Sequence, residues 1–208
     1  MCKRGPVLGD VVIRCEVDGV RARTAPMTDR VMHAAAEALG QHYFGPNFDE
    51  SHFDTWAASV DELLFVAEDA ATGAFLGYAD QMFLAPQVDA ALRAGTISEE
   101  DFGPDAVLTD DALRRMLPGA RVTLYLAGMC VVAPGTPRCR AAARALRACR
   151  RSLLTAWRAQ GLQITMLLAA ATPVGRRIAE RAGGTLIGAA AARVDGYDLF
   201  ELSDLPGE

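Results

Sequence analysis

The chain has 208 residues, of which 51% are hydrophobic, and its formal net charge is −5. This size and apolar content fit one domain with a sizeable core, and the acidic balance disfavours a general nucleic-acid-binding protein. Five cysteines without a C-x-x-C pair disfavour a disulfide framework or a zinc site, so we expect a reducing, cytoplasmic setting. No apolar run is long enough to span a membrane, and no segment typical of a signal peptide follows Lys3 and Arg4.

The N-terminal quarter of the chain predicts a hairpin and two helices. Asp18-Gly19 is a strong two-residue turn signal between β-rich arms, so a hairpin is expected over 11–25. A helix is expected from about 29 to 40, ended by Gly40, and a second from about 49 to 59. The loop between them is dense in aromatic and polar side chains and is either part of a site or a hydrophobic plug.

Residues 62–85 predict a second hairpin. Two strands flank a turn over 69–73, and one face of the pair is expected to be buried. Asp80 and Gln81 continue the return strand, where their side chains could face a cleft.

Residues 86–120 are longer than a usual connection and predict short helices of their own. One is expected from Val88 to Ala94 and another from about 109 to 117. We interpret the segment as an insertion, and the sequence is compatible with either a lid over a site or a dimer contact.

The central feature of the sequence is an apolar strand followed by a basic segment. The run from Val122 to Ala133 predicts a buried strand, which Pro134 and Pro137 end because proline removes backbone donors. A helix is expected from about 141 to 159. A strand, a tight basic loop and a helix N-terminus in this order are typical of anion binding. The alternative is a solvated helix face formed by Arg138, Arg140, Arg144, Arg147, Arg150 and Arg151.

The C-terminal part of the chain continues the alternation of strands and helices. A buried strand over 164–170 follows the long helix, which predicts a right-handed parallel crossover. Thr172 and Pro173 begin a helix with a glycine stop, and a closing hairpin is expected about Asp195-Gly196.

Three of these segments resemble the GNAT (N-acetyltransferase) superfamily. Val132-Ala133-Pro134 is similar to the Val-x-Pro end of its central strand, and the run Arg138-Cys139-Arg140-Ala141-Ala142-Ala143 to the Gln/Arg-x-x-Gly-x-Gly/Ala loop that holds the pyrophosphate of acetyl-CoA. Here Ala141 replaces the first glycine. The hairpin over 62–85 is similar to the second and third strands of many members. The segment over 172–184 resembles a GNAT helix in which Ala179 stands where many members place a tyrosine.

The resemblance implies an α/β (α+β) fold with a mixed central sheet flanked by helices. Residues 1–208 would form one domain, with 86–120 as a helical insertion between the third and fourth domain strands. The implied activity is acyl-CoA-dependent N-acyl transfer, by direct attack in a ternary complex. Acetyl-CoA or another acyl-CoA would be the cosubstrate, without a metal, and the acceptor an amine of a small molecule or peptide. No nucleic-acid or membrane partner is expected, and a homodimer is compatible with the insertion and closing hairpin.

The resemblance also assigns site residues. The cosubstrate would be bound by Cys130, Val131, Val132, Arg138, Cys139, Arg140, Ala141, Ala142, Ala143 and Thr172. Backbone amides over 130–132 are placed to polarise the acyl carbonyl. The candidates for proton transfer are Asp80, Tyr125, His42 and Glu68.

Two departures from the family pattern leave alternatives open. Ala141 narrows the space for the phosphates, and Ala179 removes the tyrosine that protonates the departing thiolate in many members. The protein could therefore be a catalytically degenerate GNAT-fold binding or interaction protein. It could also transfer an acyl group from a thioester carrier other than CoA.

Overall fold

The structure, a computed structural model, describes residues 13–26, 28–44, 56, 60 and 63–203. Within them lie eight strands: β1 (Arg14–Val17), β2 (Val20–Thr24), β3 (Leu64–Asp69), β4 (Phe75–Leu84), β5 (Arg121–Val131), β6 (Gln163–Ala170), β7 (Thr185–Gly188) and β8 (Asp198–Leu202). They form one sheet in the order β1-β2-β3-β4-β5-β6-β8-β7. The β5–β6 pair is parallel and every other pair is antiparallel.

Five α-helices flank the sheet in the described residues: α1 (Arg30–Phe44), α2 (Pro86–Ala94), α3 (Asp110–Arg114), α4 (Pro137–Ala159) and α5 (Pro173–Arg181). The mixed α/β fold expected from the sequence is confirmed. None of the described helices is both long and apolar enough to cross a lipid bilayer.

The two faces of the sheet carry different helices because side chains alternate along each strand. Leu124 of β5 packs with Leu146 and Trp157 of α4 in the largest core cluster. The next residue, Tyr125, belongs to a cluster on the opposite face that also holds Phe102. α1 covers another part of that opposite face. The long helix α4 and Leu113 of α3 therefore cover one side of the sheet, while α1, α2 and Phe102 cover the other.

The first hairpin has the geometry that its turn residues dictate. Asp18 and Gly19 have φ angles of 49° and 71°, the left-handed conformations required at both central positions of a tight hairpin turn. The second hairpin turns at 69–73, where the Asp69 carboxylate accepts the N–H groups of Ala71 and Thr72. Both predicted hairpins are present.

Two helix boundaries differ from the sequence prediction. α1 continues through Gly40 to Phe44, because Gly40 lies on the buried face of the helix beside Ala36 rather than at its end. α4 begins at Pro137, four residues before the expected start, with Thr136 as its N-cap. The run from Arg138 to Ala143 is thus helical, and the loop before it is limited to 132–136.

The segment over 86–120 folds back along β4. It contains α2, α3 and two short 3-10 turns, Glu99–Asp101 and Pro104–Ala106. Leu108 N–H donates to Phe83 O at 2.7 Å, which ties its second half to β4. The short helices predicted in this segment are present as α2 and α3, whereas its status as an insertion stays a prediction.

The helix predicted over 49–59 lies outside the described residues except for Trp56. The Trp56 indole N–H donates to Gly103 O at 3.2 Å, and its ring packs edge-on against Phe102.

Candidate functional site

A gap opens between the two central parallel strands. β5 and β6 pair from Arg121 and Gln163 as far as Tyr125 and Leu167. Beyond that point β5 stays paired with β4 up to Val131, and β6 stays paired with β8. Each strand keeps its outer neighbour while losing its inner one, so a wedge-shaped gap opens toward their carboxyl ends.

A β-bulge in β5 lies where the gap begins. The β4–β5 register passes from Tyr125 opposite Met82 to Gly128 opposite Asp80, which leaves two residues of β5 facing one of β4. A bulge bends its strand and increases the local twist. We attribute the separation of β5 from β6 to this irregularity.

Arg150 of α4 fixes the bulge from beneath. Its guanidinium donates to Asp80 O and Gly128 O, both at 2.6 Å, and to the Gln81 side chain at 2.8 Å. The Arg150 side chain is buried, and burial lowers its pKa to about 10, so it remains charged at neutral pH. A buried cation thereby holds two main-chain carbonyls of the bulge in place.

Two backbone amides of β5 are directed into the gap. Val132 N–H donates to Leu76 O at 2.9 Å, within the β4–β5 ladder. Because successive residues of a strand direct their N–H groups to opposite edges, Cys130 also faces β4, while Met129 and Val131 face the gap.

The Tyr43 hydroxyl supports this orientation. It donates to Val131 O at 3.3 Å, so that carbonyl is directed away from β4. Of the three amides expected over 130–132, the register directs one into the gap, and it adds Met129, which the sequence analysis did not name.

A polar cluster lies at the closed end of the gap. Tyr125, the last residue of β5 that pairs with β6, donates its hydroxyl to Glu99 Oε2 at 3.0 Å. Asp80 is 5% exposed, and its Oδ1 forms no hydrogen bond within the described residues. That oxygen would lie only 2.6 Å from a Cβ atom added at Gly128, so only glycine fits opposite Asp80.

Burial raises the pKa values of these acids, and the Asp80 charge adds to the shift at Glu99. Burial raises the pKa of Asp80, although the Arg150 charge opposes the shift. The pKa of Glu99 rises to about 7, through burial first and the Asp80 charge second, while the Tyr125 hydrogen bond opposes it. Glu99 is only partly buried and keeps contact with solvent. It can therefore exchange a proton near neutral pH, a range suited to acid–base chemistry.

The loop over 132–136 and the start of α4 stand at the open end of β5. Ala133 and Gly135 have left-handed φ angles of 53° and 91°. Thr136 Oγ1 accepts Cys139 N–H at 3.1 Å, whereas the N–H groups of Gly135 and Arg138 form no hydrogen bond within the described residues. Two unsatisfied donors at the positive end of a 23-residue helix form an anion-binding geometry.

Three arginines near the start of α4 contact different parts of the chain: two bind the turns of the N-terminal hairpins, and one stays beside the loop over 132–136. Arg138 forms an ion pair with Asp69 and a hydrogen bond to Asp18 O, while Arg144 forms an ion pair with Asp18. Both are thereby directed toward the turns of the two N-terminal hairpins. Arg140 instead donates to Gly135 O at 2.8 Å and stays beside the loop.

The remaining residues predicted to bind the cosubstrate lie mostly in the core. Three of these residues are buried positions of α4 itself, namely Cys139, Ala141 and Ala142, and Ala143 is half-buried. Thr172 caps α5, where its Oγ1 accepts Gly175 N–H at 3.0 Å. The small side chain at Ala141 therefore contacts the sheet.

Two of the predicted proton-transfer residues lie away from the polar cluster. Glu68 of β3 forms ion pairs with Arg21 at 3.1 Å and Arg23 at 3.3 Å. His42 is exposed in the last turn of α1, against the edge of Tyr43. Of the four candidates, the structure brings Asp80 and Tyr125 together.

Neither a metal nor a reactive thiolate is indicated in the described residues. They contain no cluster of three or more His, Cys, Asp or Glu side chains that could hold a metal ion. Burial raises the pKa of Cys130 to about 11, so this thiol is protonated at neutral pH.

Solved structures share this architecture. Ard1 from Thermoplasma volcanium is 9% identical with a TM-score of 0.52, covering 91% of this chain and 99% of its own. The NatC complex bound to Gag peptide and CoA contains a chain that is 10% identical, with a TM-score of 0.53 and coverage of 88% and 95%. Mosquito arylalkylamine N-acetyltransferase like 5b is 16% identical, with a TM-score of 0.50 and coverage of 89% and 94%. No protein-family model matches the sequence, and no curated protein sequence does so.

The chain has the GNAT fold. The similarity extends over nearly the whole length of both chains in each comparison, and at this level of identity it concerns the fold alone.

Glu99 is a candidate site residue that the sequence does not single out. Ser98-Glu99-Glu100-Asp101 has the sequence of a capped acidic turn, which is usually solvated. Its approach to Tyr125 depends on how the segment between β4 and β5 folds back over the sheet, for which the sequence carries no local signal.

Proposed function

We propose that this protein is an acyl-CoA-dependent N-acyltransferase that acts on the amine of a small molecule or peptide. The observation that carries the proposal is the gap between β5 and β6. Backbone N–H groups of β5 are directed into this gap along one wall, and the N-terminus of α4 lies at its open end. A thioester and its pantetheine arm can lie along such a wall. Direct attack of an amine on the thioester then needs mainly positioning and a polarised carbonyl.

Main-chain donors supply the polarisation in this proposal. The N–H of Met129 is nearest the bulge among those facing the gap, and that of Val131 follows two residues later. Donors fixed in a sheet need no reorganisation as charge develops on the carbonyl oxygen. The loop over 132–136 and Arg140 would bind the pyrophosphate.

Isothermal titration with CoA and acetyl-CoA tests the proposal. The wild type should bind both, and Arg140→Ala should weaken binding about tenfold because a charge-assisted contact is lost. Arg138→Ala should change the affinity less, since Arg138 is held by Asp69. Arg151→Ala, an exposed change further along α4, is the control. Absence of binding by the wild type at millimolar ligand would refute CoA-dependent activity.

A GNAT-fold binding protein without acyltransferase activity is the second candidate. Ala179 has a methyl side chain and is fully buried, so α5 has no proton donor for a thiolate at that position. Asp18 and Asp69 also neutralise part of the basic segment. Binding of CoA without turnover of acetyl-CoA by any amine would favour this candidate. Binding only of a carrier-linked thioester would favour the non-CoA donor. Cytoplasmic location and a homodimer stay predictions.

A further inference from the structure

The segment between β4 and β5 places one carboxylate against the closed end of the gap. Glu99 opens the short turn Glu99–Asp101, and the Asp101 carboxylate accepts the N–H and hydroxyl of Ser98 at 2.8 and 2.9 Å. Phe102, 2% exposed, anchors the turn against the Tyr125 ring, with centroids 5.8 Å apart. Glu99 is thus presented by a fixed turn rather than by a mobile loop end.

The Tyr125 hydroxyl orients this carboxylate. It donates to Glu99 Oε2 at 3.0 Å from the residue at which β5 and β6 separate. The second carboxylate oxygen, Oε1, forms no hydrogen bond within the described residues. An attacking amine at the thioester would therefore find an oriented acceptor oxygen close to the gap.

A second, independent feature points into the same place. Asp80 is buried, and its Oδ1 lacks a hydrogen-bond partner within the described residues. A buried acceptor without a donor is costly, so such groups commonly mark a place where a ligand supplies the donor. An ammonium or amine N–H is a donor of the required kind.

We propose that Glu99 accepts the proton of the attacking amine, with Tyr125 as a positioning residue, so that the segment between β4 and β5 completes the active site. The inference rests on the proposed acyltransferase function. The amine lone pair forms the C–N bond at the thioester carbonyl, and the C–S bond breaks with its electron pair on sulfur. One amine proton passes to the Glu99 carboxylate, and the thiolate takes a proton from water. Glu99 then releases its proton to the hydroxide that remains, so the net products are the amide and the thiol.

The other acids are less suited to this role. Asp80 lies deeper and faces the Arg150 charge, while Glu68 is held by two arginines. Glu99 faces Asp80 of β4, Tyr125 of β5 and its own neighbour Glu100, and Asp195 lies near Tyr125. Burial first, and then the Asp80 and Glu100 charges, raise the pKa of the Glu99 carboxyl, so it becomes an effective base near neutrality.

Acetyl-CoA turnover by purified full-length protein, followed by thiol release, tests the assignment. The acceptor probes are n-butylamine and a tripeptide with an unblocked N-terminus. In Glu99→Gln, kcat should fall about 100-fold with little change in KM for acetyl-CoA, because the amide cannot accept a proton. Asp105→Asn, an exposed change elsewhere in the same segment, should stay close to the wild type.

The pH profile separates catalysis from structure. Wild-type kcat should rise through an apparent pKa near 7 and then level off. Tyr125→Phe removes the hydrogen bond that favours ionised Glu99, so the rise should move to higher pH. Unchanged kcat in Glu99→Gln, or an unmoved profile in Tyr125→Phe, would overturn the inference.

The acceptor probes also distinguish failure of the acyltransferase proposal from failure of the Glu99 assignment. A wild type that does not bind acetyl-CoA, or that releases no thiol with either probe, contradicts the acyltransferase proposal and the inference with it. A wild type that turns over while Glu99→Gln does so equally contradicts the inference alone. Circular dichroism and CoA affinity of each variant show whether the fold and the gap are retained.

Discussion

Arg150 is the residue on which the geometry of the gap depends most directly. It is buried, charged and bonded to carbonyls from both strands at the bulge. Removing one member of a buried charged network leaves the remaining groups unpaired, which costs more than the loss of the contact itself. The residue is therefore expected to be important for stability as well as for the site.

Replacing Arg150 by methionine should lower the free energy of unfolding by about 3 kcal/mol, as measured by urea denaturation. The loss leaves Asp80 O and Gly128 O without their donor, and the Asp80 carboxyl without a neighbouring positive charge. Arg150→Lys should be intermediate, because it keeps the charge and loses the guanidinium geometry.

Arg151→Met provides the matched control for Arg150→Met. Arg151 is the next residue of α4 and is exposed, so its replacement should change stability by less than about 0.5 kcal/mol. Equal effects of the two substitutions would show that Arg150 does not support the bulge.

At the scale of elements, the loop over 132–136 is held by the cap of α4. Thr136 Oγ1 accepts Cys139 N–H and donates to Ala133 O, both at 3.1 Å. One hydroxyl therefore fixes both the start of α4 and the carbonyl of Ala133, whose backbone is left-handed. The loop can present its N–H groups to an anion because this cap keeps them in place.

Thr136→Ala should destabilise the protein by about 1 kcal/mol, the usual effect of removing a helix N-cap. Thr136→Ser keeps the hydroxyl and should retain most of the stability. Thr155→Ala, at an exposed position of the same helix, is the control. Thermal denaturation of the three variants provides the comparison, and a neutral Thr136→Ala would contradict the assigned cap.

Local patterns were sufficient for most elements and insufficient for two boundaries. Turn residues and alternation predicted both hairpins, and the apolar run predicted β5. The start of α4 was placed too late, since Thr136-Pro137 is both a loop pattern and a cap followed by proline at the first helical position. Gly40 is a typical helix stop, yet α1 continues through it because Gly40 lies on the buried face of the helix.

The candidate site was predictable only where its residues lie on strands. Asp80 and Tyr125 followed from the strand pattern and the family resemblance. Glu99 depends on a tertiary contact between a short turn and β5, so sequence spacing could not reveal it. The ion pairs of Arg138 and Arg144 with Asp69 and Asp18 are also long-range, and the basic run alone predicts a larger anion-binding patch than the structure leaves.

At the scale of the whole molecule, buried acids near the gap couple stability to pH. The folded protein raises the pKa of the Glu99 carboxyl, chiefly by burial, to about 7 from its ordinary value of 4.5. The folded state therefore binds this proton more tightly than the unfolded chain does. The resulting stabilisation is fully present below the unfolded pKa and is lost as pH rises through about 7.

The free energy of unfolding of the wild type should thus contain a Glu99 contribution that falls by about 1–2 kcal/mol between about pH 5 and about pH 8. The full pKa shift corresponds to a larger change in the free energy of unfolding, but the partial solvent access of Glu99 reduces that change. Glu99→Gln removes this contribution, because its amide does not titrate, so the variant should gain stability relative to the wild type at the higher pH. Urea denaturation across this range, with the exposed change Asp105→Asn as the control, measures the difference. Identical pH dependence in Glu99→Gln and the wild type would show that the folded environment does not raise the Glu99 pKa.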